Sequence, residues 1–383
     1  MNTNILETLN IPSISPERHY WIIRTKGGRY YNDFIHHQYI SIAWDYVTLN
    51  ILNNENEDSI KRLIGMYTAT DKDNAIDLDD EETEGSSKGK VTAIYNKIQR
   101  FVFEIAKGDI VLIPSANSDF ITIAEVIGDT YETTNYVEMR LQDDPDSETI
   151  PCPYYKRRKI SSLKTITKKE MDIYLAKGFN SQHALSNMDE YASFIDRTIY
   201  GIYSKGSDIH TTIYTGHPKG LTLKDLVNLS SLLEQAASSL AEQCNIPFNS
   251  SDIGVRLNIH SPGLIELIGE LGGGGIILSI LIFTLNNLIN GGKLNISFKR
   301  NGQSKDIDFS VDVTSVGSRG HNQKDKKIEL SEKTELLKLV NELGIKSPDI
   351  VSSILNGEKI TPDMISEAQQ SHSLSSESEN SVQ

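Results

Sequence analysis

Residues 107–128 read KGDIVLIPSANSDFITIAEVIG, and this stretch decides the architecture of the first half of the chain. Ile110 to Ile113 is an apolar run of strand length, and Gly108-Asp109 ends the element before it. The turn-rich PSANSD then leads into Ile121 to Ile127, a second buried strand closed by Gly128-Asp129. Two short apolar strands around a six-residue turn describe a small mixed β domain.

Upstream, Tyr20-Trp21-Ile22-Ile23-Arg24 is an aromatic and β-branched run broken by Gly27-Gly28, and Ile40 to Trp44 reads as a second strand. Ile94, Ile98, Phe101, Val102 and Ile105 fall at helical spacing and predict a helix over 94–106. The text between about 55 and 90 is polar, and residues 71–84 set eight acids against Lys72 alone, a solvated surface insertion. Downstream, Tyr154 to Ile160 is followed by a predicted helical segment from about Thr167 to Tyr200.

The second half reads β-α-β-α-β-β. A strand near Asp208 to Thr215 leads to a helix opened by the capping box Thr222-Leu223-Lys224-Asp225, with a buried stripe of Leu223, Leu226, Val227, Leu233, Ala237, Leu240 and Cys244. Ile253 to Ile259 alternates as a strand ended by Ser261-Pro262-Gly263, a long apolar segment follows, and Leu294 to Phe298 with Ile307 to Val313 forms a hairpin. Short helices over Ser331 to Gly344, Pro348 to Leu355 and from Thr361-Pro362 precede a solvated tail.

At 383 residues, two domains are expected. A formal net charge of −14 argues against indiscriminate polyanion binding, because that mode needs many cations to neutralise phosphates. Any nucleic-acid contact must be local. Two cysteines, Cys152 and Cys244, without a CxxC partner exclude a disulfide framework and a thiolate zinc site. The start, MNTNILETLNIPSISPERHY, has no secretory pattern, so a cytoplasmic location is expected.

The order of the motifs says more than any one of them. Tyr20 to Arg24, a glycine-bearing loop, Ile42-Ala43-Trp44-Asp45, a helix, Lys107 to Val111 and Ile123 to Gly128 together resemble the EVE branch of the PUA-like superfamily. Such domains stand at the front of some bacterial Mrr-type and McrB-type restriction proteins. The resemblance spans about residues 19–165 and implies a β-barrel-like sheet with a pocket for one extruded, often modified, base. An extruded base has lost its stacking partners, so its binder must offer an aromatic face and edge hydrogen bonds. Carried over by position, Trp21 and Trp44 match the family's tryptophans and Asp45 and Tyr46 fall at its pocket loop, while Ser115, in the turn between two strands, could add an edge hydrogen bond. The family's Trp-Asp-Gly-Val-Arg-Asn-like run is Trp44-Asp45-Tyr46-Val47-Thr48 here, which departs at the pocket's edge. On residue type alone, Trp21 reads first as core, Trp44 as core or pocket, and Ser115 as an ordinary turn serine.

Backbone contacts are expected from Arg24 and from Lys156, Arg157, Arg158 and Lys159, which follow Tyr154 and Tyr155 in a stretch, 156–169, without an acid. A solvated strand-to-helix face is the plainer reading of that stretch.

No catalytic centre is legible. Asp306, Asp308 and Asp312 alternate without an acid-x-Lys, Asp325-Lys326-Lys327 sits in a polar stretch, and the nine histidines form no spaced metal motif. Gly272 to Gly275 lacks the Lys-Ser/Thr of a phosphate loop, so no cofactor or metal is expected.

The expected architecture is α+β. A lead over 1–18 precedes the EVE/PUA-like domain with trailing helices (19–205). A smaller βαβαββ-type domain (206–315) carries the apolar helix, short helices occupy 328–368, and a tail runs over 369–383. The expected function is a non-catalytic sensor of modified or unpaired bases in DNA or RNA, in bacterial defence against foreign DNA, with a self-associating output domain. The alternatives are a membrane-attached effector inserting residues 264–290, since 271–292 carry no charge, and a magnesium-dependent restriction nuclease.

Overall fold

A computed structural model describes residues 11–70, 87–144, 149–180, 183–215, 221–258, 263–271, 273–289, 293–300, 307–314 and 333–346. The chain divides into two compact units, one built on Glu17–Ile199 and the other on Tyr200–Thr361 together with the N-terminal residues to Pro16. Strand β1 (Ser13–Ile14) belongs to the second unit.

The first unit carries β2 (Tyr20–Ile23), β3 (Tyr39–Ile42), β4 (Ile110–Pro114), β5 (Phe120–Val126), β6 (Tyr131–Glu132), β7 (Lys156–Thr167) and β8 (Leu185–Asn187). They form one sheet in the order β3-β7-β5-β4-β2-β8, with β6 beside β7, and the sheet curls into a half-barrel. Only β2 and β4 run parallel, with Trp21 opposite Val111. The curl has a local cause in β7. Its first residues pair with β3 on one side and β6 on the other, while the rest pairs with β5 through a register shift at Ile123/Ala124. Trp21, Ile23, Val111, Ile113, Ala124, Val126 and Ile160 pack in one core with Phe34, Phe101 and Ile105.

Helix Ser87–Gln99 continues into a wider turn, Arg100–Glu104, whose Ile105 N–H reaches back five residues to the Arg100 carbonyl at 2.9 Å. Ile94 and Ile98 pack on Ile60 and Ile64 of helix Glu57–Thr70. The acidic run at 71–84 lies outside the described residues. The helical segment expected from Thr167 to Tyr200 is corrected: β7 extends to Thr167, and helices Ile173–Gly178 and Ala192–Ile199 flank β8. Leu163 and Ile166 stand three apart across the register shift, so Ser161–Thr167 lacks the period-two alternation that marks a strand.

The second unit orders its sheet β1-β9-β10-β12-β11, from β9 (Ile202–Lys205), β10 (Asp208–Thr215), β11 (Ile253–Asn258) and β12 (Gly263–Glu270). The hairpin β13 (Lys293–Arg300) and β14 (Ile307–Thr314) stands as its own two-stranded sheet, and β15 (Ile345–Lys346) pairs with the end of β10. The N-terminal lead therefore takes part in this sheet, with Ser13 opposite Ser204 and Ile11 in the core.

Helix Leu223–Cys244 has the capping box expected of Thr222 and Asp225, and it ends on Asn245 in the left-handed conformation. Its stripe is covered from Leu229 onward, whereas Leu223 and Val227 are exposed. The apolar segment is also corrected. Residues 264–270 belong to β12, paired along β10 and β11, and the helix begins only at Gly274 and ends at Ile289. Ile277, Leu278, Ile280, Leu281 and Phe283 of that helix lie in the core, each stabilising by about 1.5–3 kcal/mol on burial. The glycines permit close contact: a Cβ on Gly269 would lie 2.7 Å from the Gly275 nitrogen. No helix among the described residues is long and apolar enough to cross a membrane. Residues 264–290 are therefore not one inserting helix: 264–270 are strand, and 274–289 are a helix with core side chains. β11 pairs with β12, and the hairpin expected of 294–298 and 307–313 forms as β13 with β14.

Candidate nucleic-acid interface

The strand pairings sort the candidate residues to two ends of the half-barrel. Ile42 faces Lys156, Val126 faces Ile160, and Glu125 faces Ile110. The C-terminal end of β3 therefore lies at the same end as Trp21 and Asp109. Arg24, Ser115 and Phe120 lie at the other.

At the first end, Trp44 has φ +65°, a left-handed backbone that costs a non-glycine residue about 1–3 kcal/mol. Buried Lys156 holds it there: Nζ donates to the Trp44 carbonyl at 2.9 Å and stands 3.5 Å from Asp45 Oδ1, which also accepts from the Tyr155 N–H at 2.8 Å. Burial pushes the Asp45 carboxyl up and the Lys156 ammonium down, each opposed by the charge of the other. Trp44 is half-buried between two apolar clusters, and Tyr46 is stacked on Tyr67 at 4.2 Å with the rings 3° from parallel. Tyr46 thus already has an aromatic neighbour.

Trp21 is 3% exposed, and its indole N–H donates to Asp109 Oδ2 at 3.0 Å. The same carboxyl accepts from the Ala106 and His19 backbone. Trp21 is core, and its rings offer no open face to a base.

The basic stretch is corrected as a phosphate-contacting edge. Lys156, Arg157 and Arg158 are 0%, 1% and 4% exposed, because this part of β7 has strands on both sides and cover on both faces. The Arg157 guanidinium lies 3.5 Å from the Tyr136 ring centre and 4.2 Å from that of Tyr39, and it donates to the Cys152 and Tyr154 carbonyls at 2.8 and 3.0 Å. Both tyrosine hydroxyls donate to buried Asp33, which also accepts from the Cys152 N–H. Arg158 donates to the Phe101, Val102 and Gly128 carbonyls at 2.8, 2.7 and 3.1 Å, satisfying the end of the helix that stops at Glu104. Burial lowers its affinity for its proton. Of the four cations, Lys159 faces solvent.

At the second end, Arg24 is committed to the Phe179 carbonyl at 2.6 Å. Ser115 Oγ accepts from the Phe120 N–H at 2.9 Å in a turn where Asn117 and Ser118 are both left-handed. The glycine loop presses on that turn: Gly28 has φ +92°, and a Cβ there would fall 2.2 Å from the Ala116 nitrogen.

Phe120 and Thr122 share one face of β5, and Thr165 comes from β7 opposite Thr122. Thr122 Oγ1 meets the Tyr31 hydroxyl at 2.7 Å and Thr165 Oγ1 at 2.9 Å, so three hydroxyls form a relay. Phe120 is 50% exposed beside it. Arg29 in the glycine loop and Lys168 and Lys169 after β7 are exposed at this end, and the Lys168 N–H is tied to the Asp119 carbonyl at 3.0 Å. The sequence reading missed Tyr31, Phe120, Thr122 and Thr165. The one local signal was for Phe120, at the start of the alternation Phe120-Ile121-Thr122-Ile123, which sets it on the face of β5 opposite Ile121 and Ile123.

Among the described residues there is no group of three metal-ligating side chains, and Asp306 and Asp325-Lys326-Lys327 lie outside them. No family model, no curated protein and no solved structure matches the chain.

Proposed function

We propose that the first unit reads an unstacked base of a single-stranded or locally opened nucleic acid, DNA or RNA, without cutting it. The second unit serves as the output module of a cytoplasmic sensor in bacterial defence against foreign DNA. One observation carries this reading: an exposed aromatic ring, Phe120, stands beside the Tyr31–Thr122–Thr165 hydroxyl relay, flanked by Arg29, Lys168 and Lys169. The ring supplies the stacking face, the Tyr31 and Thr165 hydroxyls, joined through buried Thr122, can donate to or accept from a base edge, and the cations meet the phosphates. The EVE/PUA-like motif order supports the same reading.

Titration of the full chain with short oligonucleotides, single- and double-stranded, with plain or methylated bases, tests it. Binding that favours single strands or one modification is expected. Three phosphate contacts give a slope of log affinity against log salt of about −2 for a single strand. Equal binding to every oligonucleotide, erased by salt, would contradict base reading.

A further inference from the structure

β11 is an edge strand of the second sheet: among the described residues its one strand neighbour is β12. Sheet edges are ordinarily guarded by lysine, proline, a bulge or a covering segment, since their free N–H and C=O groups invite another strand. Ile253–Asn258 contains neither lysine nor proline. Its one charge, Arg256, is directed to the face away from the helices, 3.7 Å from Glu266.

The helix-covered face of this edge is apolar and open. Val255 and Leu257 stand opposite Leu267 and Ile265 of the core, yet are 54% and 42% exposed. Leu223, which lines one cavity with Leu257, is 78% exposed, and Val227, one turn further along helix Leu223–Cys244, is 58% exposed. A cavity of ≈ 190 Å³ lies between helix and strands, lined by Leu221, Leu223, Leu226, Leu257, Leu264 and Ile265.

We infer that this edge is the pairing surface for a second copy of the chain, β11 against β11, antiparallel about a two-fold axis perpendicular to the sheet. Such an axis keeps both helix layers on one side of the joined sheet, so Leu223 and Val227 of the two copies converge over the seam. The four exposed side chains present roughly 400 Å² of apolar surface, within the range of functional patches on single chains. A standard interface takes ~800 Å² from each partner, so the paired strand backbones and their neighbours have to supply the rest. Charge selects the register. Centring the pair on Arg256 would oppose two arginines, which is destabilising, whereas centring it on Val255 sets Leu257 against the partner's Ile253 and Gly254 against the partner's Arg256.

This inference gives the proposed output module its surface, and its test is separable from base reading. Light scattering of the full chain across a wide concentration range is expected to show a dimer. Val255→Lys, which opposes two ammonium groups at the axis, is expected to weaken dimerisation at least tenfold, and so is Leu223→Glu. Val255→Cys is expected to form a covalent dimer on mild oxidation, well ahead of Leu257→Cys. Directly opposed antiparallel residues have Cα atoms about 4.5–5.5 Å apart, within disulfide reach. Both native cysteines are buried and do not compete. Should Val255→Lys lose its circular-dichroism signal, Leu223→Glu decides, since its side chain is largely in solvent. A wild-type chain that stays monomeric, or a dimer indifferent to both charged variants, overturns the inference. A monomer that still binds oligonucleotide removes the dimer and leaves base reading standing; a dimer that binds none does the reverse.

Discussion

Replacing Arg157 with methionine distinguishes a buried strut from a phosphate contact. Methionine keeps most of the side-chain volume but removes the charge, two hydrogen bonds to carbonyls at 2.8 and 3.0 Å, and the cation between the Tyr39 and Tyr136 rings. Those rings also hold the hydroxyls that donate to buried Asp33, so the substitution strands two carbonyls and disturbs a carboxyl group's partners. Removing one member of such a buried network costs about 3–5 kcal/mol. Both tryptophans, Trp21 and Trp44, lie in the first unit, so tryptophan fluorescence during urea unfolding reports on that unit. With a urea dependence of about 2 kcal/mol per molar, the midpoint should fall by about 1.5–2.5 M. Lys159→Met, exposed on the same strand, should stay within about 0.5 kcal/mol of wild type. If Arg157→Met unfolds like wild type while oligonucleotide affinity drops, Arg157 faces phosphate and its placement inside the half-barrel is wrong.

Two further perturbations probe the same unit. Gly28→Ala drives a Cβ to within 2.2 Å of the Ala116 nitrogen at φ +92°, so a loss of about 1–2 kcal/mol from the backbone alone, and more from the clash, should appear as a lower melting temperature; unchanged melting would show that the two loops do not touch. The Cys152 thiol is pushed up to about 12 by burial from an ordinary 9.0, so it should resist a thiol reagent at neutral pH until urea exposes it. Because the folded state keeps that proton where the unfolded chain releases it, this contribution to stability is complete below pH 9.0 and declines by about 1.4 kcal/mol per unit as pH rises above it toward about 12. Alkaline urea titrations of wild type and Cys152→Ala would share one slope if the thiol played no part.

Part of the first unit's sheet was legible, where its strands are short and apolar and its turns carry glycine, aspartate and asparagine. β2, β4 and β5 fall where residues 20–24 and 107–128 put them. The run Lys156–Lys159 misled because charge is ordinarily read as exposure. Here three cations are drawn inside by backbone carbonyls and tyrosine rings, and apart from the Cys152 and Tyr154 carbonyls these partners lie far away in sequence. Residues 264–270 misled differently. An apolar run looks alike in helix and strand, and only pairing with β10 and β11 decides. In the candidate site, Ser115 and the glycine loop were visible as turn chemistry. Tyr31, Thr122 and Thr165 were not, since their relay joins a helix and two strands.

The central claim is that one base is taken up against Phe120. A double-mutant cycle measures it directly: wild type and Phe120→Ala are each titrated with a single-stranded oligonucleotide and with its abasic counterpart. If the ring stacks on the base, the two changes are coupled by about 1–3 kcal/mol, so Phe120→Ala weakens binding of the intact strand about 5- to 150-fold and barely alters binding of the abasic one. Additive losses, with Phe120→Ala costing the same on both strands, would contradict base reading at this end of the half-barrel.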